Sequence, residues 1–410
     1  MRHTGLGSKD IVSATEFRMK NWLTFPKNGA GHTGDGHPSR FYDRVSGTSD
    51  IPTTLMNAPR ERRNIPALTG LRGVAALWVV FFHLTVGIPL LQHGYLGVDV
   101  FFLLSGYVLA YVYAGKLADA ADYVSFIRAR VARIYPMHLT ALCVLALMVV
   151  TLPGFAEHYP QPEQRWGFGP FVASLLLVQN WAYFLPTSWN TPSWSLSAEW
   201  FAYLLFPMFV FATQWQRSII APLLLAGSLL LVLFGAFALR GLHVLNGEGV
   251  PGMVRMACEF AAGCLLWRAV ANGLGRLPAV VDMVALALVL VATIYGGTFT
   301  FLALPGFALI VLLATQESPT ARLLSLAPVV FLGEISYSIY LIHFMLIQGS
   351  QWFLAGRLVG TFWQVIWDAG LLLTCIGIAT LSYRWIERPG RAWGRTRAPR
   401  AEKALSTTAS

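Results

Sequence analysis

The chain has 410 residues, 55% of them hydrophobic and only 12% charged. That is about half the charged share of an ordinary soluble domain, which excludes water as the main solvent. The formal net charge of +10 does not point to nucleic acid, because the basic residues lie at the ends of apolar runs and in the two tails, where they read as topology signals and phosphate ligands.

Residues 1–63 are polar and contain no apolar h-region of the kind a cleavable signal peptide needs, so a disordered tail is predicted there. From Pro66 onward, apolar runs predict spans near 66–91, 94–114, 134–152, 195–213, 218–239, 252–268, 280–295, 298–314, 331–352 and 365–386. Runs such as 223–234 and 284–294 are apolar all round, which suits helices and not the alternating strands of a barrel. The expected fold is all-α, a polytopic transmembrane helical bundle of about ten spans. Its membrane domain covers 64–390 and a basic tail covers 391–410.

An eleventh apolar stretch, 171–185, is judged by charge. If it crosses, Arg217, Arg268, Arg276, Arg322 and Arg384 fall opposite Arg62, Arg63, Lys116 and Arg128; if it does not, all of them share one side. Trp166, Trp181 and Trp189 also favour an interfacial or re-entrant segment over 165–190. Both termini are then cytoplasmic, and the expected location is the cell (inner) membrane.

Ionisable groups inside spans are costly and each needs a reason. Arg72 and His83 are eleven residues apart, close to three helical turns, so they share a face about 16 Å apart along the axis. Asp99 follows a short turn and lies at a depth near His83, and Glu199 lies at a similar depth. A carboxylate beside a histidine raises its basicity and fixes its tautomer, which suits a general base and equally a proton relay. Arg128, Arg130 and Arg133 precede the third span and suit lipid phosphates, topology or a phosphorylated co-substrate. Ser336, Tyr340 and His343 fall along one face of a helix that should point inward, as helix–helix contacts or as substrate ligands. Ser193 reads as a helix cap. Cys143, Cys258, Cys264 and Cys375 lack metal spacing or a close pair and read as packing, so no metal site is expected.

Taken together, Leu68-Thr-Gly-Leu-Arg72-Gly with His83, Gly97-Val-Asp99-Val-Phe-Phe-Leu-Leu-Ser-Gly106, Arg130-Val-Ala-Arg133-Ile-Tyr-Pro136, Ser195-Leu-Ser-Ala-Glu199-Trp-Phe201, Ser336-Tyr-Ser-Ile-Tyr340-Leu-Ile-His343 and Glu387-Arg-Pro389 resemble the membrane-bound acyltransferase 3 family over about 64–390. The resemblance implies an integral membrane O-acyltransferase that uses cytoplasmic acyl-CoA, most simply acetyl-CoA, as co-substrate, with no permanently bound cofactor. Its acceptor would be a hydroxyl of a glycan, lipid or secondary metabolite. It also implies an essential arginine and histidine at Arg72 and His83. Thr69 departs from the family, which usually has an aspartate there. The expected roles are His83, Asp99 and Glu199 in catalysis, Arg72, Arg128, Arg130 and Arg133 on the donor, and Ser336, Tyr340 and His343 on the acceptor. A transporter or flippase using the buried His, Asp and Glu as a path is the competing expectation; it would be favoured by an inverted repeat, and none stands out.

Overall fold

The computed structural model describes residues 65–84, 87–181, 189–243, 245, 248–354, 357 and 362–395. The chain separates into two units, 1–64 with 118–120 and 65–117 with 121–410. The helices of the second carry everything that follows. The expected N-terminal tail and residues 396–410 of the expected C-terminal tail lie outside the described residues.

Helix α1 is Pro66–His83, with proline at its first turn, where the missing N–H costs nothing. It stops at His83, short of the expected 91: Leu84 turns extended, and the chain restarts as a four-residue helix, Pro89–Gln92, led by another proline. His83 therefore stands at a helix end. Helix α2 is Gly97–Tyr113, and α3 is Ala120–Thr151, starting well before the expected 134 and running through Pro136. At 32 residues α3 is about 48 Å long, more than a 30 Å hydrocarbon core needs.

Two short helices follow, α4 (Pro162–Trp166) and α5 (Phe168–Leu175). Neither has a bilayer's length, in line with the expectation that 165–190 holds no full crossing, although 182–188 is outside the described residues. Then come α6 (Ser193–Leu204) and α7 (Phe206–Gln214), bent by 56° at Leu205. Beyond them lie α8 (Ile220–Leu239), α9 (Val250–Ala271), α10 (Val280–Tyr295) and α11 (Ala303–Ala314). Helices α12 (Ala327–Glu334) and α13 (Ser336–Leu354) form a second bent pair, at 66°, before α14 (Phe362–Ser382) and α15 (Arg388–Arg395). Among the described residues seven helices are long and apolar enough to cross a bilayer, or nine if each bent pair counts once. The remaining expected span is α10, with 16 residues.

Glycines let this bundle pack backbone against backbone. A Cβ on Gly73 would come within 2.5 Å of the Gly333 nitrogen, so α1 and α12 touch directly. Gly106 and Gly263 do the same for α2 and α9, each leaving a Cβ about 2 Å from the facing carbonyl oxygen (2.0 Å at Phe260, 2.1 Å at Leu103). Part of the Leu68–Gly73 motif is thus a packing device, and it holds Arg72 rigidly between two glycines.

Two apolar clusters result, and α1 and α2 contribute to both. Ala76, Val79 and Val80 belong to a cluster that also takes residues of α3, α6 and α13, while Leu68, Leu71 and Ala75 belong to one that takes residues of α9 and α11. The polar groups that matter lie on the first side.

Candidate active site

Five helices converge on a cavity of about 60 Å³. Arg72 reaches it from α1 and Arg133 from α3, while α2 offers Ser105 and α6 offers Ser195, Glu199 and Tyr203. From α13 come Ser336, Tyr337 and Tyr340. The bend between α12 and α13 starts a new helix at Ser336, so the positive end of its dipole faces the same space.

Glu199 is fixed through one oxygen, which accepts from Ser105 Oγ and, at 2.5 Å, from Tyr203 Oη. Neither Arg72 nor Arg133 forms an ion pair with a described carboxylate. Glu387, the other acid near Arg72, is taken by Arg391 and by Ser338 Oγ (2.9 Å). Two guanidiniums and a helix end therefore face one cavity with a single carboxylate between them. Such an arrangement attracts an anion.

Ser195 Oγ and Tyr340 Oη share a hydrogen bond of 2.6 Å, and Tyr340 also donates to the Pro192 carbonyl at 2.9 Å. The Tyr340 ring stands 5.9 Å from the His343 ring, which lies 5.1 Å from that of His83. His83 Nδ1 is 2.9 Å from the Val79 carbonyl, and His343 Nδ1 is 3.2 Å from that of Ile339. A carbonyl can only accept, so both rings carry their proton on Nδ1. His343 Nε2, 3.3 Å from His83 Nδ1, then accepts a second share of that proton, and His83 Nε2 keeps its lone pair.

The structure corrects the pairing expected for His83. Its hydrogen-bond partners among the described residues are Val79 and His343, not a carboxylate. Asp99, at 0% exposure, is held by Arg255 on α9: Nη2 lies 2.9 Å from both oxygens and Nε 3.1 Å from Oδ1. Arg255, itself 1% exposed, stacks over Trp194 at 5.6 Å, and the fully buried Glu259 adds a second acid to the cluster. The direction of Asp99 around α2 turns it to Arg255 on α9.

The arginine cluster also divides. Arg133 lines the cavity, whereas Arg130 is wrapped by Tyr113, Phe126 and Tyr203 and donates to Tyr113 Oη at 3.2 Å. Arg128 is not among the residues lining that cavity. Ser193 does not cap α6; its hydroxyl donates to the Asn190 carbonyl at 2.6 Å. Three cysteines are buried as packing, and Cys143 is exposed.

Outside the spans, Glu248 sits between α8 and α9. Burial pushes its carboxyl up to about 7, against the opposing pull of Arg165 and Arg255. Burial likewise lowers the Arg165 guanidinium below its ordinary value.

These helices define a multi-pass membrane protein whose core holds a cationic cavity one tyrosine away from a histidine pair. The chain belongs to the acyltransferase domain family, which matches residues 65–384, and it is accordingly an acyltransferase rather than a transporter. It is 32% identical over 367 residues to Acyltransferase MdmB of Streptomyces mycarofaciens, covering 78% of this chain and 88% of that one. It is 27% identical over 378 residues to YrhL of Bacillus subtilis, which carries a provisional name as a peptidoglycan O-acetyltransferase (83% of this chain, 57% of the other). With O-acetyltransferase OatA of Staphylococcus aureus it shares 26% over 371 residues (81% and 58%). This chain thus spans little more than half the length of those last two relatives. No solved structure matches it.

Proposed function

We propose that this enzyme moves an acyl group, acetyl in the simplest case, from cytoplasmic acyl-CoA to a hydroxyl of a carbohydrate, lipid-linked glycan or related metabolite. The proposed setting is a cell (inner) membrane crossed about ten times with both termini in the cytoplasm. The observation that supports it most is that Arg72 and Arg133 face one cavity without an ion pair to a described carboxylate, and that Tyr340 of the same cavity stands 5.9 Å from His343, itself 5.1 Å from His83.

The donor is an anion through its phosphates, and guanidiniums bind phosphate oxygens in bidentate geometry. The cavity of about 60 Å³ is far below the size of a cofactor pocket, so it takes a phosphate of the donor while the rest of the nucleotide lies outside it and the pantetheine arm extends toward the histidines. In the proposed reaction His83 Nε2 takes the proton of the acceptor hydroxyl as its oxygen attacks the thioester carbonyl. The C–S bond then breaks and the thiolate leaves with a proton returned from the imidazolium. His343, bonded to His83 Nδ1, holds the ring in the tautomer this needs. Glu199, fixed by Ser105 and Tyr203, balances the charge of Arg72 and Arg133 between turnovers. Ser336 and Tyr340, which line the cavity, hold the acceptor in this proposal.

The naming of YrhL and OatA for O-acetyl transfer supports an oxygen acceptor. The direct test is donor consumption: membranes containing the protein should release free CoA from acetyl-CoA. Glycan and lipid fractions of the same cells should gain one acetyl mass. No CoA release and no mass gain would end this reading.

A further inference from the structure

A cavity of about 60 Å³ is too small for the diphosphate and the ribose phosphate of an acyl-CoA together. The charge that stays outside needs a partner of its own, and helix α15 lies where such a partner would stand. A Cβ on Gly390 would come within 2.6 Å of Pro136 Cγ, and one on Gly394 within 2.5 Å of Ala132 Cβ. The two glycines let α15 lie directly on the turn of α3 between Ala132 and Pro136, the turn that carries Arg133. Arg391 follows the first of them. Its guanidinium donates to Glu387 Oε1 and stands 5.8 Å over the Tyr383 ring. The other oxygen of Glu387 accepts at 2.9 Å from Ser338 Oγ, in the first turn of α13. Arg391 is thus fixed between α15 and the helix start at the cavity, close enough to Arg72 and Arg133 to act on the charge of both.

The ion pair with Glu387 does not use up this cation. A guanidinium has more N–H donors than one carboxylate oxygen can take, and Arg391 Nε has no hydrogen-bond partner. Across the group, the guanidiniums of Arg72, Arg133 and Arg391 face only two carboxylates, Glu199 and Glu387, so a positive charge is left over. The Arg391 side chain is 25% exposed against 0% for Glu387, so a ligand arriving from outside the cavity reaches the cation and not the acid.

We infer that Arg391 is a specificity-determining residue for the donor, holding the nucleotide phosphate that lies just outside the cavity, and that Glu387 is its positioning residue. Guanidinium forks match phosphate oxygens, and a carboxylate behind the fork keeps it aimed. This assignment rests on the acyl-CoA reading and sharpens it: the enzyme distinguishes acyl-CoA from an acyl group carried on phosphopantetheine alone. A phospholipid headgroup offers the same phosphate chemistry, and the test separates the two.

Arg391→Gln removes the charge, whereas Gly390→Leu keeps it and wedges α15 away from α3. The full chain in detergent is titrated calorimetrically with CoA, with dephospho-CoA and with 4′-phosphopantetheine, whose single phosphate the cavity can take. Each variant should bind CoA roughly 10-fold more weakly than the wild type, the scale of one charged hydrogen bond, and bind phosphopantetheine as the wild type does. If Arg391→Gln weakens dephospho-CoA equally, Arg391 holds the diphosphate; if dephospho-CoA is unaffected, it holds the ribose phosphate. Unchanged CoA affinity in Arg391→Gln overturns the proposal and leaves the residue to a lipid headgroup or to the docking of α15. Equal weakening toward CoA and phosphopantetheine also overturns it, since the cavity itself would then have been deformed. If CoA binding behaves as expected but membranes release no CoA from acetyl-CoA, the acyl-transfer reading fails and the phosphate site stands.

Discussion

Two ionic centres lie within the same bundle and behave as opposites. At α2 and α9, Asp99 and Arg255 close on each other through three contacts, sealed from solvent. At α1, α3 and α6, Arg72, Arg133 and Glu199 share a cavity without pairing. Both use arginine and a carboxylate, but the closed pair is fully buried while Arg72, Arg133 and Glu199 are half-buried around their cavity. The difference teaches where to look for chemistry: a buried charge answered by its neighbour is architecture, and one left unanswered is waiting for a ligand.

The contrast is broken most sharply at the histidine pair beside the open centre. His83→Ala should leave a folded, membrane-inserted protein whose acyl transfer falls by roughly 100-fold or more, the usual loss for a positioned base. Near-normal turnover in that variant would move the base to His343. The closed centre should answer in the other currency. Arg255→Met leaves Asp99 buried and unpaired and should cost about 3–5 kcal/mol, read as a lowered detergent melting temperature. Asp99→Leu and Glu259→Gln together with Arg255→Met should recover most of that loss; a triple variant as unstable as the single one would show that the cluster does more than neutralise itself.

Smaller effects sharpen the division within the arginine cluster. Arg133→Ala should raise the KM for acyl-CoA by about 10-fold, the scale of one charged hydrogen bond, with little change in kcat, whereas Arg130→Ala should leave that KM in place. Equal effects would mean that Arg130 leaves its aromatic cage when donor binds. The smallest change is expected at Glu248. A carboxyl raised to about 7 favours the neutral form in the fold, so its stabilising contribution is full below the ordinary carboxylate value and is lost as pH rises through 7. Glu248→Gln should therefore flatten the melting temperature between pH 5 and 8 and exceed the wild type at the upper end.

What could be read from the residues alone follows from how far apart the partners are in sequence. Arg72 and His83 sit on one helix, so periodicity placed them on one face before any fold was known. A helix lies on each expected apolar run because apolar length is local information, whereas the end of α1 at His83 and the early start of α3 at Ala120 are set by turns and prolines. The direction of Asp99 was not legible, since its partner Arg255 is 156 residues away. His343 meets His83 across 260 residues, and only a shared suspicion of both histidines hinted at it. Arg128, Arg130 and Arg133 look alike as a motif, yet five residues span more than a full turn of α3 and send them to different surroundings. Arg391 reads only as the start of a basic tail, because nothing local shows that α15 folds back onto α3.

The 66° break before Ser336 has one more consequence. It places the beginning of a helix inside the bundle, so part of the cavity's attraction for anions is made of peptide groups and not of side chains. Peptide groups are common to every residue except proline in what they can donate. Alanine scanning therefore has a blind spot here: the arginines can be stripped from the cavity one by one, and a residual anion affinity will persist because its source is written in the direction of the chain.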